Sequence, residues 1–472
     1  MKAELFGRQA TGGVVARTGF EYQDAFVLEH LPLWLSQGGF SHVVSEMLGD
    51  VEVRYFRSTG GTQCVLYEAK NHQLSKSNFQ KEVERFLELY NKASDEYVMF
   101  ELVCKDYNGE IQPVLNKLSR LRGVGQSLNY DSQLRKEAEG EIIKTLVGLG
   151  MPEATARFVL ERVSFTSYSA ERAKQAFAGT VEENLPTLVD LRSGQINHLR
   201  NAFEHLVAKS VKGVVYRADL ESTIVQALGM SDAAIWSDTP TVVHLVEDEL
   251  GSRMETLSLV SGRFNGPGRG TVGQASWNAL QVNARAIGDF IKATRPRSAV
   301  KLNGKQRMSY ACTLGYGFSA TRGFILEVEH NGQVFRTDNH GRSAEQFFDM
   351  SAIADAQGLQ EGVVAIGFPS AIAADIEGSC TALGLAGMPR LLLQSQNVIG
   401  DVDALNKAVT EAKSALSEFK SKYQLMRIHL FIKAPSVFAM VLGHRLNALG
   451  LIQLYDWIDT VYIPTASLES AS

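Results

Sequence analysis

Nowhere in these 472 residues is there a run of about 18 uncharged apolar side chains, so no membrane-spanning helix is expected. The opening MKAELFGRQATGG has no apolar core of the kind a secretory leader needs, which places the chain in the cytoplasm by expectation. Cysteine is scarce. Cys64, Cys104, Cys312 and Cys380 stand far apart, with no Cys-x-x-Cys pair and no clustered histidine, which argues against a disulfide framework and against structural zinc. A reducing compartment suits them. Positive charge is not in excess either. With 47 Lys and Arg against 52 Asp and Glu the formal net charge is −5, so any contact with nucleic acid or phosphate must be local. A phosphate-cradling loop is also missing: the glycine-rich stretch Arg8 to Gly19 lacks the GxxxxGK[ST] spacing and a preceding strand. Arg8 and Arg17 remain as isolated candidates for contact with DNA phosphates.

What is present divides by texture. A chain of 472 residues exceeds what one hydrophobic core supports, so more than one domain is expected. Residues 1–108 mix helix and strand signals. GFEYQDAFVLEHL (19–31) reads as a helix stopped by Pro32, followed by strand-like SHVVSEM (41–47), DVEVRYF (50–56) and QCVLYEAK (63–70). The last two are joined through Gly60-Gly61, a hairpin signal. Phe79, Val83, Phe86 and Tyr90 fall at helical spacing, and EYVMFELVC (96–104) reads as a buried strand. Residues 109–230 are dominated by amphipathic helical patterns and read as a helical extension of this first domain. From 231 onward, strand-like TVVHLVED, SAVKLNG, GFILEVE, GVVAIGF, PRLLLQS and RIHLFIK alternate with helical patterns, which predicts a parallel sheet flanked by helices.

The chemistry concentrates in DVEVRYFRSTGGTQCVLYEAK. Residues two apart on a strand share a face, so Glu68 and Lys70 point one way and Ala69 the other, while the hairpin returns Asp50 to the same end. Two carboxylates suit a hard divalent cation, Mg²⁺ or Mn²⁺, which polarises a phosphodiester and acidifies the attacking water. Lys70 is then available to orient that water or to neutralise developing phosphate charge. Asp50, Glu68 and Lys70 are therefore the candidate catalytic residues, with Asp50 and Glu68 as metal ligands. Glu21, Gln23 and Glu46 are lesser candidates to complete the set, and His72 is read as a surface residue.

A second constellation lies in the C-terminal half. Lys292, Arg295, Arg297, Lys301, Lys305 and Arg307 follow one another without an acidic residue between them, and a phosphate-bearing ligand is their natural partner. Shifting AVKLNGKQRMSYACTLG (299–315) onto RIHLFIKAPSVFAMVLG (427–443) matches Lys305 with Lys433, Ala311 with Ala439 and Gly315 with Gly443. Two copies of one strand–loop–helix unit place two such loops at the carboxyl ends of strands, where α/β sheets bind ligands. Lys301, Lys305, Arg307, Lys433, Pro435 and Ser436 are the expected ligand-binding residues, with Ser436 also able to cap its helix, and Trp277 and Phe368 are the aromatics available to stack on bases.

Asp50 with Glu68-x-Lys70, set between helices, resembles the PD-(D/E)xK nuclease superfamily. The segments 298–318 and 427–457 resemble the SAVED sensor family, itself similar to two fused CARF modules. GFEYQ followed by this motif, joined to such a sensor, resembles the effector nucleases of CBASS antiphage systems. That resemblance implies an α/β chain: a restriction-endonuclease-like core (1–108) with its helical extension (109–230), then a SAVED domain (231–472) of two CARF-like, Rossmann-like halves. It also implies a cyclic di- or trinucleotide activator, a ligand-induced homo-oligomer and indiscriminate cutting of double-stranded DNA, without a membrane partner. The residues alone leave two other readings open: a constitutive restriction-type endonuclease with a C-terminal specificity domain, and a non-catalytic nucleotide-binding scaffold.

Overall fold

The computed structural model describes residues 17–469 apart from 124, 126–128, 130, 210–212, 339–345 and 354–358; the side chains of 17–20, 172 and 174 also fall outside the described set. Arg8 and the Arg17 side chain therefore lie outside the described residues. Contacts between Cα atoms divide the chain into two units, Met1–Ser237 and Asp238–Ser472.

The first unit opens with helix α1 (Arg17–Ser36), which carries on through Pro32 instead of stopping there. Proline inside a helix costs about 3 kcal/mol. Burial of Leu31, Trp34 and Leu35, each at 2% exposure or less, offsets it at roughly 1.5–3 kcal/mol per side chain. Strands β1 (Phe40–Ser45), β2 (Val51–Phe56) and β3 (Thr62–Leu74) follow, then α2 (Lys76–Lys92) and β4 (Tyr97–Tyr107). Phe79, Val83 and Phe86 of α2 are buried against the sheet, the helical spacing seen in the sequence. Helices α3 (Gln112–Arg122), α4 (Gln133–Gly148) and α5 (Glu153–Arg162) lead to β5 (Val163–Ser167), and α6 (Ala173–Asn184) and α7 (Ser193–Lys209) lead to β6 (Val214–Tyr216), α8 (Arg217–Ala227) and α9 (Met230–Asp238). The sheet order is β5-β4-β3-β2-β1-β6. The helical extension thus contributes two edge strands, a departure from the expected all-helical zone. β5 pairs parallel to β4, with Phe100 opposite Val163, and β6 pairs antiparallel to β1.

The second unit holds two sheets. One has the order β11-β10-β9-β7-β8, from β7 (Thr241–Val246), β8 (Leu257–Val260), β9 (Ala299–Asn303), β10 (Ile325–His330) and β11 (Gln333–Arg336). Helix α10 (Gln274–Thr294) precedes β9, and α11 (Met308–Gly317) connects β9 to β10. The other has the order β12-β14-β13-β15-β16-β17, from β12 (Asp349–Ile353), β13 (Glu361–Gly367), β14 (Arg390–Gln394), β15 (Arg427–Lys433), β16 (Leu451–Ile458) and β17 (Val461–Leu468). Helices α11 and α14 (Ser436–Arg445) occupy matched places, and α12 (Ala373–Ala382) and α13 (Val402–Tyr423) link the remaining strands. The repeat legible in sequence reaches further than its two strand–helix units. In β9–α11–β10–β11 and in β15–α14–β16–β17 alike, a strand, a helix, a parallel partner strand and an antiparallel hairpin strand follow in order.

Candidate functional site

Strand β2 begins at Val51, opposite Tyr67 of β3, so β3 runs past the end of β2 from Glu68 onward with only β4 beside it. Into that space folds the turn that carries Asp50. The turn closes by a bond from the Glu46 N–H to the Asp50 carbonyl at 3.1 Å, with Glu46 in the left-handed region at φ 59°. Asp50 Oδ2 accepts the Ala69 N–H at 2.7 Å, which holds its carboxylate over the Glu68–Lys70 segment.

The three expected catalytic residues come together here. Lys70 Nζ is ion-paired with Glu68 Oε1 and lies 3.8 Å from Asp50 Oδ2. Two further residues that the sequence reading missed complete the cluster, both from α2. Glu82 places Oε1 3.6 Å from Lys70 Nζ, and the Arg85 guanidinium pairs with Glu68 Oε2 while its Nε donates to Glu82 Oε2 at 3.0 Å. Glu21 is exposed and Gln23 is half-buried. Glu46 is in the turn itself. Burial raises the Glu46 carboxyl, and the charge of Asp24 of α1, also unselected from sequence, raises it further.

Burial, then the neighbouring charge of Glu68, pushes the Asp50 carboxyl up to about 7. Burial alone would lower the Lys70 ammonium, but Glu68 and Asp50 outweigh it and hold the pKa above its ordinary value. Its neighbours therefore hold the Lys70 side chain as a cation in this cluster. Among the described residues no three Asp, Glu, His or Cys side chains gather as a ready-made ligand cage. What the site offers is a pair of carboxylates crowded enough to shift one of them. That donor set fits Mg²⁺, which binds through one or two carboxylates and keeps several of its waters.

In the second unit the expected ligand residues separate into three groups. Lys305 and Arg307 are exposed on the loop between β9 and α11, where Asn303 and Asn265 side chains take their backbone N–H groups at 2.9 Å. Lys301 instead faces Glu327 and Glu329 of β10 at 3.7 and 3.5 Å, and Lys433 faces Asp375 of α12 at 2.7 Å. Arg297 likewise pairs with Asp338. The apparent basic run is partly neutralised by acids that sheet pairing brings alongside. Pro435, not Ser436, is the N-cap of α14, and the Ser436 hydroxyl donates to the Gly304 carbonyl, tying one repeat to the other. Trp277 is a correction. It is 1% exposed, with its ring centroid 4.5 Å from that of Phe264, so no ring face is open to a base. Its spacing with Leu280, Ala284, Ile287 and Ile291 along α10 was the sequence signal of a core stripe. Phe368 is equally buried, edge-on to Phe438.

A family model described as the Cap4 dsDNA endonuclease domain matches residues 11–210, and one described as the SMODS-associated and fused to various effectors sensor domain, SAVED, matches 284–468. The chain is 45% identical to the CD-NTase-associated protein 4 of Moraxella osloensis over 469 residues, 99% of this chain and all of that protein. An Acinetobacter protein of the same description is 45% identical over the same share. Among solved structures, the Acinetobacter baumannii Cap4 SAVED/CARF-domain receptor with the cyclic trinucleotide 3′3′3′-cAAA superposes with a TM-score of 0.88 at 43% identity, covering 97% of this chain and all of that one. The Moraxella osloensis Cap4 receptor gives 0.83 at 43% identity, covering 96% of this chain and all of that one.

Proposed function

This chain belongs to the Cap4 family, an N-terminal double-stranded DNA endonuclease domain joined to a SAVED sensor, and from that premise we propose a ligand-gated, metal-dependent nuclease that cuts DNA with Asp50, Glu68 and Lys70. A cyclic trinucleotide binds the SAVED domain, favours an assembled state of several copies, and so releases cutting. Ligand binding shifts such an equilibrium only by its differential affinity for the two states.

The observation that carries this reading is the convergence of Asp50, Glu68 and Lys70 at the overhanging end of β3. Asp50 and Glu68 are the side chains that would hold Mg²⁺ or Mn²⁺, which when bound polarises the phosphodiester and supplies an acidified water. Lys70 keeps its proton and stands beside both carboxylates, placed to stabilise charge growing on the phosphoryl oxygens. On the sensor side Lys305 and Arg307 stand exposed on the loop between β9 and α11, suited to ligand phosphates.

The test is plasmid cleavage by the full chain with Mg²⁺, with and without cyclic di- and trinucleotides, 3′3′3′-cAAA among them, followed by sedimentation of the same mixtures. Cutting and assembly that both require one ligand and are abolished by a chelator are expected. Cutting at full rate without any ligand points instead to the constitutive reading. Ligand-dependent assembly with intact plasmid points to the scaffold.

A further inference from the structure

We propose that Arg85 is a positioning residue of the nuclease site, fixing both carboxylates in place through one guanidinium; this rests on the reading that Asp50, Glu68 and Lys70 form the cutting site. Arg85 spends its donors on three different pieces of chain. Nη2 pairs with Glu68 Oε2 on β3, Nη1 donates to the Leu48 carbonyl at 3.0 Å, and Nε donates to Glu82 on its own helix. A guanidinium holds its donors in one rigid plane and so fixes its acceptors in a set relative geometry, whereas the rotatable donors of an ammonium on a flexible stem do not.

The contact with Leu48 is the informative one. Leu48 stands two residues before Asp50, in the turn that opens at Glu46 with φ 59°, a conformation that a non-glycine residue uncommonly adopts. Such a turn needs outside support. Leu48 is gripped at both of its backbone groups: its N–H goes to Glu52 Oε1 at 3.0 Å and its carbonyl to Arg85. Glu52 is fully buried and bonded to Arg54, so one grip is anchored in the sheet and the other in α2. Arg85 thus sets the height of the Asp50 turn and the rotamer of Glu68 together.

Its role is not that of a core member. Its side chain is 27% exposed, and α2 is held independently by Phe79, Val83 and Phe86, each at 1% exposure or less. Arg85 also settles the sharing of charge. Asp50, Glu68 and Glu82 are three carboxylates against two cations, and without Arg85 the single Lys70 ammonium must answer to all three.

Arg85→Ala and Arg85→Lys in the full chain test this, beside Lys70→Ala as the reference for the site. In Arg85→Ala, kcat for plasmid cleavage is expected to fall about tenfold to a hundredfold with KM for DNA little changed, as for groups displaced by an ångström. Hydrogen–deuterium exchange of peptides covering 46–51 should speed up at least tenfold, while peptides of α2 stay as protected as in the parent. Arg85→Lys should rescue neither readout. Full rescue by lysine, a raised KM at unchanged kcat, or unaltered exchange in the turn would each overturn the inference. If Lys70→Ala cuts like the parent, the site reading itself has failed; if Lys70→Ala is inactive and Arg85→Ala is not, only the role of Arg85 has.

Discussion

Gly315 and Gly443 meet across a helix crossing as counterparts: a Cβ on Gly315 would collide with the carbonyl of Met440, and a Cβ on Gly443 would collide with the carbonyl of Cys312. Each glycine faces the residue three before the other, so α11 and α14 cross by a local twofold relation between the two repeats. Small residues at a crossing let backbones touch, and here both obstacles are main-chain atoms that no rotamer change can clear.

Gly315→Ala and Gly443→Ala are therefore expected to destabilise the second unit by about 3 kcal/mol, the upper end for overpacking a filled site. Gly378→Ala in α12 is the control, because nothing lies within 4 Å of an added Cβ there and alanine favours a helix by roughly 0.5–1 kcal/mol. Urea unfolding of the full chain measures both. Crossing variants as stable as the parent would mean that the helices do not touch at these glycines.

Asp50→Asn, Glu68→Gln and Lys70→Ala should each lower DNA cleavage by about a hundredfold or more, the usual cost of one electrostatic group in a reacting site. Pairs of these substitutions should cost little more than one, because residues that act as a unit are grossly non-additive. Rates of supercoiled plasmid loss at saturating Mg²⁺ read this directly. Multiplicative losses would argue that the three side chains work apart.

The hairpin was legible because β-rich runs at 50–56 and 63–70, broken by Gly60-Gly61, encode strand and turn in adjacent residues. β5 and β6 were not. Each is short, flanked by helices, and a strand only because β4 and β1 offer an open edge, which is information held far away in the chain. The same distance hid the fate of the basic run. Lys301 is a free cation in sequence and a compensated one in the fold, because parallel pairing sets it level with Glu327. Arg85 looks like any polar helix residue until the Leu48 turn is folded against it.

His444 should make the protein acid-sensitive. Its ring is bonded to the Phe318 carbonyl, and burial, the largest cause, holds its pKa down to about 4 against an ordinary 6.5. Below pH 6.5 the unfolded chain takes up a proton that the folded one refuses until about pH 4. Stability present above pH 6.5 is then lost as pH falls through that window, on the order of 3 kcal/mol in total. His42 in the first unit is held down in the same direction, by burial and then by Arg54. His444→Gln, which retains a donor without titrating, should flatten the slope of unfolding free energy against pH between 4 and 6.5 by about one proton; an unchanged slope would place the acid sensitivity elsewhere.

The sensor variants should sort by what already holds each side chain. Lys305 and Arg307 have no ion pair among the described residues and stand exposed at the β9–α11 loop, so their charge is available to a ligand phosphate. Lys305→Ala and Arg307→Ala are each expected to weaken binding of 3′3′3′-cAAA about tenfold, since a charge-assisted hydrogen bond contributes roughly 1.5–3 kcal/mol before screening. The loss should shrink as salt is raised, because exposed charges are screened within a Debye length. Lys301→Ala should stay within about twofold of the parent, since recruiting Lys301 to a phosphate means stripping it from Glu327 and Glu329. Trp277→Ala should act through folding, at about 3–5 kcal/mol for emptying a buried aromatic site, and lower the unfolding midpoint with or without ligand. Calorimetric titration at two salt concentrations separates these cases. If Lys301→Ala abolished binding while Lys305→Ala and Arg307→Ala did not, the ligand would have to sit against the face of β9 and β10 that carries Lys301, and the loop would lose its claim to the phosphates.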